Sequence, residues 1–262
     1  MTMKTRLAFL FALLFAGELT FAQNAHFTTS GTITYEKSAN TFAIIKRFYG
    51  ENMNDGFLKQ AFEQYQKTQP QFKVLKSTLV FDNGSTLFTP IPPEVANSNF
   101  LGNIPTTDQY NTIYTDLGAH SVVDQKVVFE ETFLVKDSVR KIKWKITDET
   151  RQIAGYECRR ANGLMMDSIY VVAFFANQIP VSGGPESFGG LPGMILEVAL
   201  PHENLIWKAT SVTESAGTQQ PIAPPKKGKP VNNKQLFETL KEVFKNRGDD
   251  ARINIFMKSY LM

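Results

Sequence analysis

Polar and apolar residues alternate with a period of two along much of the chain, and this pattern predicts β-strands. In the strictest example, residues 141–146, Ile142, Trp144 and Ile146 are predicted to face inward and the three lysines between them to face solvent. Further strands are predicted at residues 30–36, 41–49, 72–81, 85–89, 112–115, 127–135, 154–158, 168–175, 194–200 and 204–213. The pair Asn83-Gly84 predicts a hairpin with a type I′ turn.

Two segments have the features of α-helices instead. Residues 54–67 place Phe57, Phe62 and Tyr65 at helical spacing, and Asn232 is predicted to cap a second helix with Gln235 at its third position. Residues 90–107 contain four prolines and are predicted to form a long loop. Many short strands with only two helices predict a mainly β fold, either an antiparallel curved sheet or a β-sandwich with two peripheral helices.

The first 22 residues have the pattern of a signal peptide. Lys4 and Arg6 precede an apolar run at residues 7–16, and small residues at Thr20 and Ala22 suit cleavage before Gln23. The run is too short to span a bilayer, and no later apolar run approaches that length. The sequence therefore predicts an exported protein, periplasmic or envelope-associated, without a transmembrane segment in the mature chain.

The mature chain is predicted to have three parts. Residues 23–220 form a β-rich domain, residues 221–231 a Pro- and Lys-rich linker, and residues 232–262 a C-terminal helix and tail. Proline and lysine dominate the middle part, which is typical of a solvated connection. The helix beyond it carries Leu236, Leu240 and Val243 on one face, so we expect it to dock on the domain.

Charge and cysteine content exclude several classes of function. The formal net charge is +3, and it falls to about +2 without residues 1–22, so nucleic acid is not an expected partner. Cys158 is the single cysteine, and it is predicted to be a buried, inert thiol. With three histidines and none of the common catalytic or phosphate-binding motifs, neither a metal site nor a cofactor is predicted.

Carboxylates offer a weak signal for hydrolysis. Adjacent residues of a strand point to opposite faces, so Glu130 and Glu131 are not expected to act as a pair. An alternative interpretation of the chain is a hydrolase acting on glycan or peptide through carboxylates such as Glu197 or Asp167, if the fold brings them together.

The most unusual segment is residues 182–193, where seven of twelve residues are glycine or proline. Residues 191–194 fit a type II turn with Pro192 and Gly193 at its centre. One interpretation is a compact loop pinned to the core by Phe188 and Leu191. The other is a binding site. Its candidate residues are Ser182, Gly183, Gly184, Phe188, Gly189, Gly190, Leu191, Pro192, Gly193 and, supporting the loop from beneath, Trp144.

Residues 189–197, GGLPGMILE, resemble the signature of the GLPGLI family of exported bacterial proteins, with Met194 where the family has leucine. The resemblance extends to residues 31–36, 144–150, 153–158 and 179–185, and so covers most of the mature chain. Ala173-Phe174-Phe175 departs from it, because the family commonly has tryptophan at the second position. The resemblance implies an envelope protein of unassigned activity and supplies no catalytic residue.

The pattern is also distantly similar to the N-terminal, non-catalytic bowl-like module of type II peptide-N-glycosidase F, which implies a binding or accessory role. We therefore expect an exported, non-catalytic binding or accessory protein of the bacterial cell envelope, with an envelope protein or a glycan as partner. A purely structural envelope protein is the third interpretation, in which the loop only closes the fold.

Overall fold

The computed structural model describes residues 26–54, 56–93, 101–102, 104–215, 222–245 and 250–262. The predicted signal peptide lies outside these residues. No helix within the described ranges combines the length and the hydropathy needed to cross a bilayer.

Twelve strands of the described chain form one open sheet. The strands are β1 (Gly31–Asn40), β2 (Phe72–Phe81), β3 (Ser85–Ile91), β4 (Thr112–Asp116), β5 (Ser121–Val128), β6 (Glu131–Ser138), β7 (Lys143–Ile153), β8 (Tyr156–Met165), β9 (Ile169–Ala176), β10 (Met194–Leu200), β11 (Leu205–Glu214) and β12 (Lys229–Val231). Their order is β12-β6-β5-β4-β3-β2-β1-β11-β10-β9-β8-β7, and every pair is antiparallel except β12 with β6. The predicted mainly β class is confirmed, and a single sheet takes the place of the two sheets of a sandwich.

The core lies on both faces of the central strands. Strand β9 contributes Val171, Ala173 and Phe175 to one buried cluster and Val172 and Phe174 to another, so its residues alternate between two apolar environments. Such a strand needs an uninterrupted apolar run rather than alternation. Edge strand β7 and the residues just before it show the opposite pattern, and the three lysines at 141, 143 and 145 are exposed, as predicted. The inward position predicted for Ile146 is wrong, because this residue is 40% exposed at the edge of the sheet.

Five α-helices surround the sheet in the described residues, rather than the two that were predicted. They are α1 (Thr41–Tyr49), α2 (Gly56–Thr68), α3 (Pro105–Asp108), α4 (Asn233–Phe244) and α5 (Asp250–Leu261). The prediction of a strand at residues 41–49 is wrong. The Asn40 side chain accepts a hydrogen bond from the Ala43 amide, and Ile44 and Ile45 are buried, so a capped helix with an apolar face forms there.

Two hairpins differ from their predictions. The β2–β3 hairpin forms as expected, but neither Asn83 nor Gly84 has a positive φ, so the type I′ turn is wrong. Asp82 closes the turn instead, since its carboxylate accepts the Gly84 and Ser85 amides at 2.8 and 2.6 Å. The single strand predicted at residues 127–135 is two strands, β5 and β6, which reverse at Phe129 with φ 56°. Glu130 therefore lies in a turn.

The C-terminal region packs against the sheet end that carries β12 and β6. Residues 229–231 of the predicted linker form strand β12, and the predicted capping box of Asn232 and Gln235 is confirmed at the start of α4. Helix α5 occupies most of the predicted tail. Leu240, Phe244 and Tyr260 from these two helices are buried with Phe133 and Val135 of β6. This packing places α5 beside the loop segment that contains α3.

Candidate functional site

The glycine-rich segment crosses one face of the sheet as a packed plug, which we define as residues 177–193. It leaves β9, and at Gly183 it meets Thr86 of β3, which lies four strands away from β10 in the sheet. Further along the plug, the Glu186 carboxylate accepts a hydrogen bond from Asn111 Nδ2 at 3.3 Å. The Ser187 hydroxyl donates to the Met262 carbonyl oxygen at 3.3 Å. The plug therefore joins strands, a loop and the residue that follows α5.

Close backbone approach explains the glycines of the plug. A Cβ at Gly193 would collide with the Ala176 carbonyl oxygen, and one at Gly184 would lie 2.9 Å from the Phe188 carbonyl oxygen. The type II turn predicted at residues 191–194 is wrong, because Gly193 does not have the positive φ that such a turn requires. Gly190 has φ 86°, so the left-handed position lies three residues earlier.

Most of the predicted binding residues are inside the plug. Phe188 and Leu191 belong to the main buried cluster, as the packed-loop interpretation predicted. The buried members are Gly183, Gly184, Phe188, Gly189, Leu191 and Gly193, and the exposed members are Ser182, Gly190 and Pro192. Trp144 is half-buried, and its Nε1 donates to the Gly189 carbonyl oxygen at 3.0 Å. A binding role for this segment remains a prediction, which now concerns the exposed members and Trp144.

Beside the plug lies a polar cavity that the sequence did not indicate. Its lining includes Lys37, Ser77, Gln109, Tyr110, Asn111, Glu186 and Trp207, and we use "polar cavity" for the space beside these seven residues. Lys37 is on β1 and is only 7% exposed, which is rare for a lysine. Its ammonium lies 5.0 Å from the centre of the Trp207 ring, within the range of a cation–π contact.

Several polar atoms of this cavity lack a hydrogen-bond partner. Among the described residues, seven buried side-chain nitrogen or oxygen atoms have none, and four of them belong to the polar cavity. These four are Ser77 Oγ, Gln109 Nε2, Asn111 Oδ1 and Trp207 Nε1. Because buried polar groups in folded proteins are nearly always paired, such a concentration indicates a place for bound water or a ligand.

Two charged groups of the cavity have perturbed titration. Burial lowers the pKa of Lys37. Burial raises the pKa of Glu186, although the nearby Lys37 opposes that change. No ion pair within 4.0 Å joins the two among the described contacts. Glu186 also has φ 51°, a conformation that is uncommon for a residue with a side chain.

An open aromatic groove adjoins the cavity. Its lining residues are Pro105, Asp108, Gln109, Tyr110, Val127, Phe129, Phe256 and Tyr260, and it encloses about 1060 Å³, including the part that opens to solvent. Phe129 is 46% exposed, and its ring centre lies 5.6 Å from that of Tyr260. Lys73 forms an ion pair with Asp108 at the rim. Gln109 and Tyr110 line both the groove and the polar cavity.

The two carboxylates named for the hydrolase interpretation do not come together. Glu197 of β10 pairs in register with Phe174 of β9, and its carboxylate accepts a 2.7 Å ion pair from Arg151. Asp167 lies before the start of β9, more than about 16 Å away along the strand direction, since each residue advances about 3.3 Å. Paired catalytic carboxylates of glycosidases lie within about 5–9.5 Å.

The single cysteine, the N-terminal histidine and metal-ligand clusters are the remaining candidates for reactive or metal-binding groups. Cys158 is fully buried, as predicted, and burial raises the pKa of its thiol to about 12. His26 is exposed and hydrogen-bonds Glu214 at 2.6 Å. In the described part of the chain, no group of three or more His, Cys, Asp or Glu residues is arranged to hold a metal ion.

Comparison with known proteins supports the resemblance to the GLPGLI-type family. A family model described as "Protein of unknown function (Porph_ging)" matches residues 162–197, which include strand β9, the plug and the first half of β10. The resemblance is thereby confirmed over this segment. No significant match was found among curated protein sequences.

Two solved structures of PNGF-II, in space groups C2 and P21, are similar to this chain at 14% and 16% identity, with TM-scores of 0.49 and 0.48. The similarity covers 88% and 83% of this chain. The chain spans about a third of the length of those proteins, 33% and 34% respectively. This is the distant similarity expected from the sequence.

Proposed function

We propose that this chain is an exported, non-catalytic binding protein of the bacterial cell envelope and that a glycan lies in its aromatic groove. The observation that carries the proposal is the groove itself, an open cleft with aromatic walls and polar groups at its rim. Ligand sites typically combine a mostly apolar lining with a few placed polar groups, and the volume of the groove suits an oligosaccharide of a few rings.

The side chains of the groove suit a sugar better than an extended peptide. Exposed aromatic rings such as Phe129 offer flat apolar surfaces to the C–H faces of a sugar ring. The carboxylate of Asp108 and the amide of Gln109 accept and donate hydrogen bonds, as hydroxyl groups require. By contrast, seven of its eight lining residues lie in helices, loops or turns, whose backbone does not pair with an extended peptide as a strand edge does.

Export is supported by the signal-peptide pattern of residues 1–22, which has basic residues at its start, a short apolar run and small residues before the predicted cleavage site. A non-catalytic role is supported by the separation of Glu197 and Asp167, which removes the pair that the hydrolase interpretation named. The envelope location rests on the family resemblance at residues 162–197 together with export.

The test is binding of the purified mature chain to a panel of neutral and acidic oligosaccharides, measured by calorimetry. Phe129→Ser removes an exposed ring of the groove and is expected to lower affinity by about tenfold. Phe72→Ser is the matched control, because Phe72 is 52% exposed at the start of β2 and does not line the groove.

Three results would contradict the proposal. Equal affinities for the two variants would mean that the ligand does not contact the groove. Displacement of the sugar by an envelope protein, or binding of such a protein alone, would favour the protein partner. Cleavage of a bound oligosaccharide would overturn the non-catalytic role.

A further inference from the structure

We propose that the polar cavity binds a carboxylate, so that the ligand of the aromatic groove is an acidic glycan. This inference rests on the proposed function and names the chemical class of the ligand at the same site. It uses residues that lie outside the plug's signature sequence, and its observations are the unpartnered atoms, the buried lysine and the shape shared with the groove.

The cavity contains more hydrogen-bond donors than acceptors. Trp207 Nε1 and Gln109 Nε2 are donors without a partner, and the Ser77 hydroxyl is also unpaired. The Lys37 ammonium adds a fourth, since no hydrogen bond of this group is present within the described part of the chain. A ligand that satisfies them must be rich in acceptors.

The charges around the cavity restrict the chemical class of the ligand further. A buried ammonium without a paired anion is unfavourable, and Lys37 has no ion pair among the described contacts. The neighbouring pair Asp124 and Lys126 is 2.8 Å apart, so those two charges largely neutralise each other. An anion beside Lys37 would therefore complete the site, and a carboxylate offers two oxygens that accept several hydrogen bonds.

The size of the cavity favours a carboxylate over a larger anion. The cavity holds about one water molecule, and an adjoining space that Lys37, Gln109 and Trp207 also line holds about one more, so the two oxygens of a carboxylate can take their places. The four oxygens of a phosphate or sulfate group need more room. The Asn111 amide oxygen and the Glu186 carboxylate are the acceptors that remain, and a ligand carboxylate would compete with Glu186 for the charge of Lys37.

The aromatic groove would bind the rest of the ligand. Gln109 and Tyr110 line both spaces, so a sugar stacked in the groove can direct a carboxylate past these residues toward Lys37. A neutral sugar would occupy the groove alone. Acidic and neutral sugars should therefore differ in affinity through the polar cavity, while both depend on Phe129.

The binding test compares an oligogalacturonate with the same oligosaccharide after its carboxyl groups are reduced to alcohols. The acidic form is expected to bind about tenfold more tightly, and Lys37→Met should abolish that preference without weakening the neutral sugar. Glu186→Gln should instead strengthen binding of the acidic form about two- to threefold at neutral pH, because it removes a competing negative charge. A merely structural role would weaken binding in both variants. Lys208→Met is the control, an exposed lysine on β11.

A second measurement uses acetate, the smallest carboxylate probe, and the two tryptophans of the chain. Titration of the full mature chain with acetate should shift the indole N–H resonance of Trp207. The Trp144 resonance should stay in place, because that N–H already bonds Gly189. Loss of the Trp207 shift in Lys37→Met would assign the anion to this lysine.

The outcomes separate the two proposals. If both sugars bind equally and Lys37→Met changes neither, the polar cavity holds water only and this inference is overturned, while the groove remains a glycan site. If no sugar binds but acetate shifts Trp207, the proposed function falls and the carboxylate site stands. If acetate moves neither resonance and no sugar binds, both proposals fail.

Discussion

The plug and the polar cavity lie next to each other on one face of the sheet and share Glu186, yet they differ in how their polar atoms are satisfied. In the plug, Trp144 bonds the Gly189 carbonyl, and the Gly190 amide bonds the Ser182 hydroxyl at 3.1 Å. In the cavity, four buried polar atoms have no partner among the described residues. A paired and tightly packed segment stabilises a fold, whereas unpaired polar atoms indicate a place for something that is still to bind.

The largest effect is expected from a variant that displaces the plug from the sheet. Gly193→Val places a branched side chain against the Ala176 carbonyl, which is backbone and cannot rotate away. We expect a loss of about 3 kcal/mol or more in the free energy of unfolding, or failure to fold, measured by urea denaturation.

Gly56→Ala is the matched control for that variant. Gly56 begins helix α2, and a Cβ there meets nothing within 4 Å, so stability should stay the same or rise by less than about 1 kcal/mol. A Gly193→Val protein as stable as the wild type would show that the plug is not packed against β9.

A substitution in the polar cavity is expected to raise the free energy of unfolding instead of lowering it. Ser77→Ala removes a buried hydroxyl that has no partner, so in ligand-free protein it is expected to raise the free energy of unfolding by up to about 1 kcal/mol. Ser211→Ala on β11 replaces an exposed strand serine and should change stability by less than about 0.5 kcal/mol. Destabilisation by Ser77→Ala would mean that the hydroxyl is already bonded, for instance to tightly held water.

Local pattern predicted what depends on local chemistry. Strand alternation, the β2–β3 hairpin and the Asn232 capping box all follow from neighbouring residues. Helix α1 was missed because its aromatic and β-branched residues favour a strand, while the Asn40 cap and burial of Ile44 and Ile45 favour a helix. The turn at Phe129 was missed because this large residue adopts a positive φ without glycine.

The candidate site depends on long-range contacts, which a single sequence does not reveal. The groove joins a turn near residue 108 and a hairpin turn near 129 with helix α5, which follows that hairpin by more than a hundred residues of chain. Lys37 occupies an inward position of β1, where its neighbours predict an apolar residue. A lysine at such a position is a local signal that could have indicated the polar cavity.

The smallest expected effect concerns the residue that the two regions share. Burial raises the pKa of Glu186 above the 4.5 of an ordinary glutamate, so folding favours its protonated form. Below pH 4.5 the group is protonated in both the folded and the unfolded chain, so the raised pKa does not lower the free energy of unfolding. As the pH rises from there through the folded-state pKa, the free energy of unfolding falls, because the unfolded chain ionises more easily.

Glu186→Gln keeps an acceptor for Asn111 and should therefore raise the melting temperature at pH 8 but not at pH 4. The control Glu238→Gln, on the exposed face of α4, should show no such difference. A gain of equal size at both pH values would place the effect in packing, and a loss at pH 8 would show that Lys37 holds Glu186 as a stabilising ion pair.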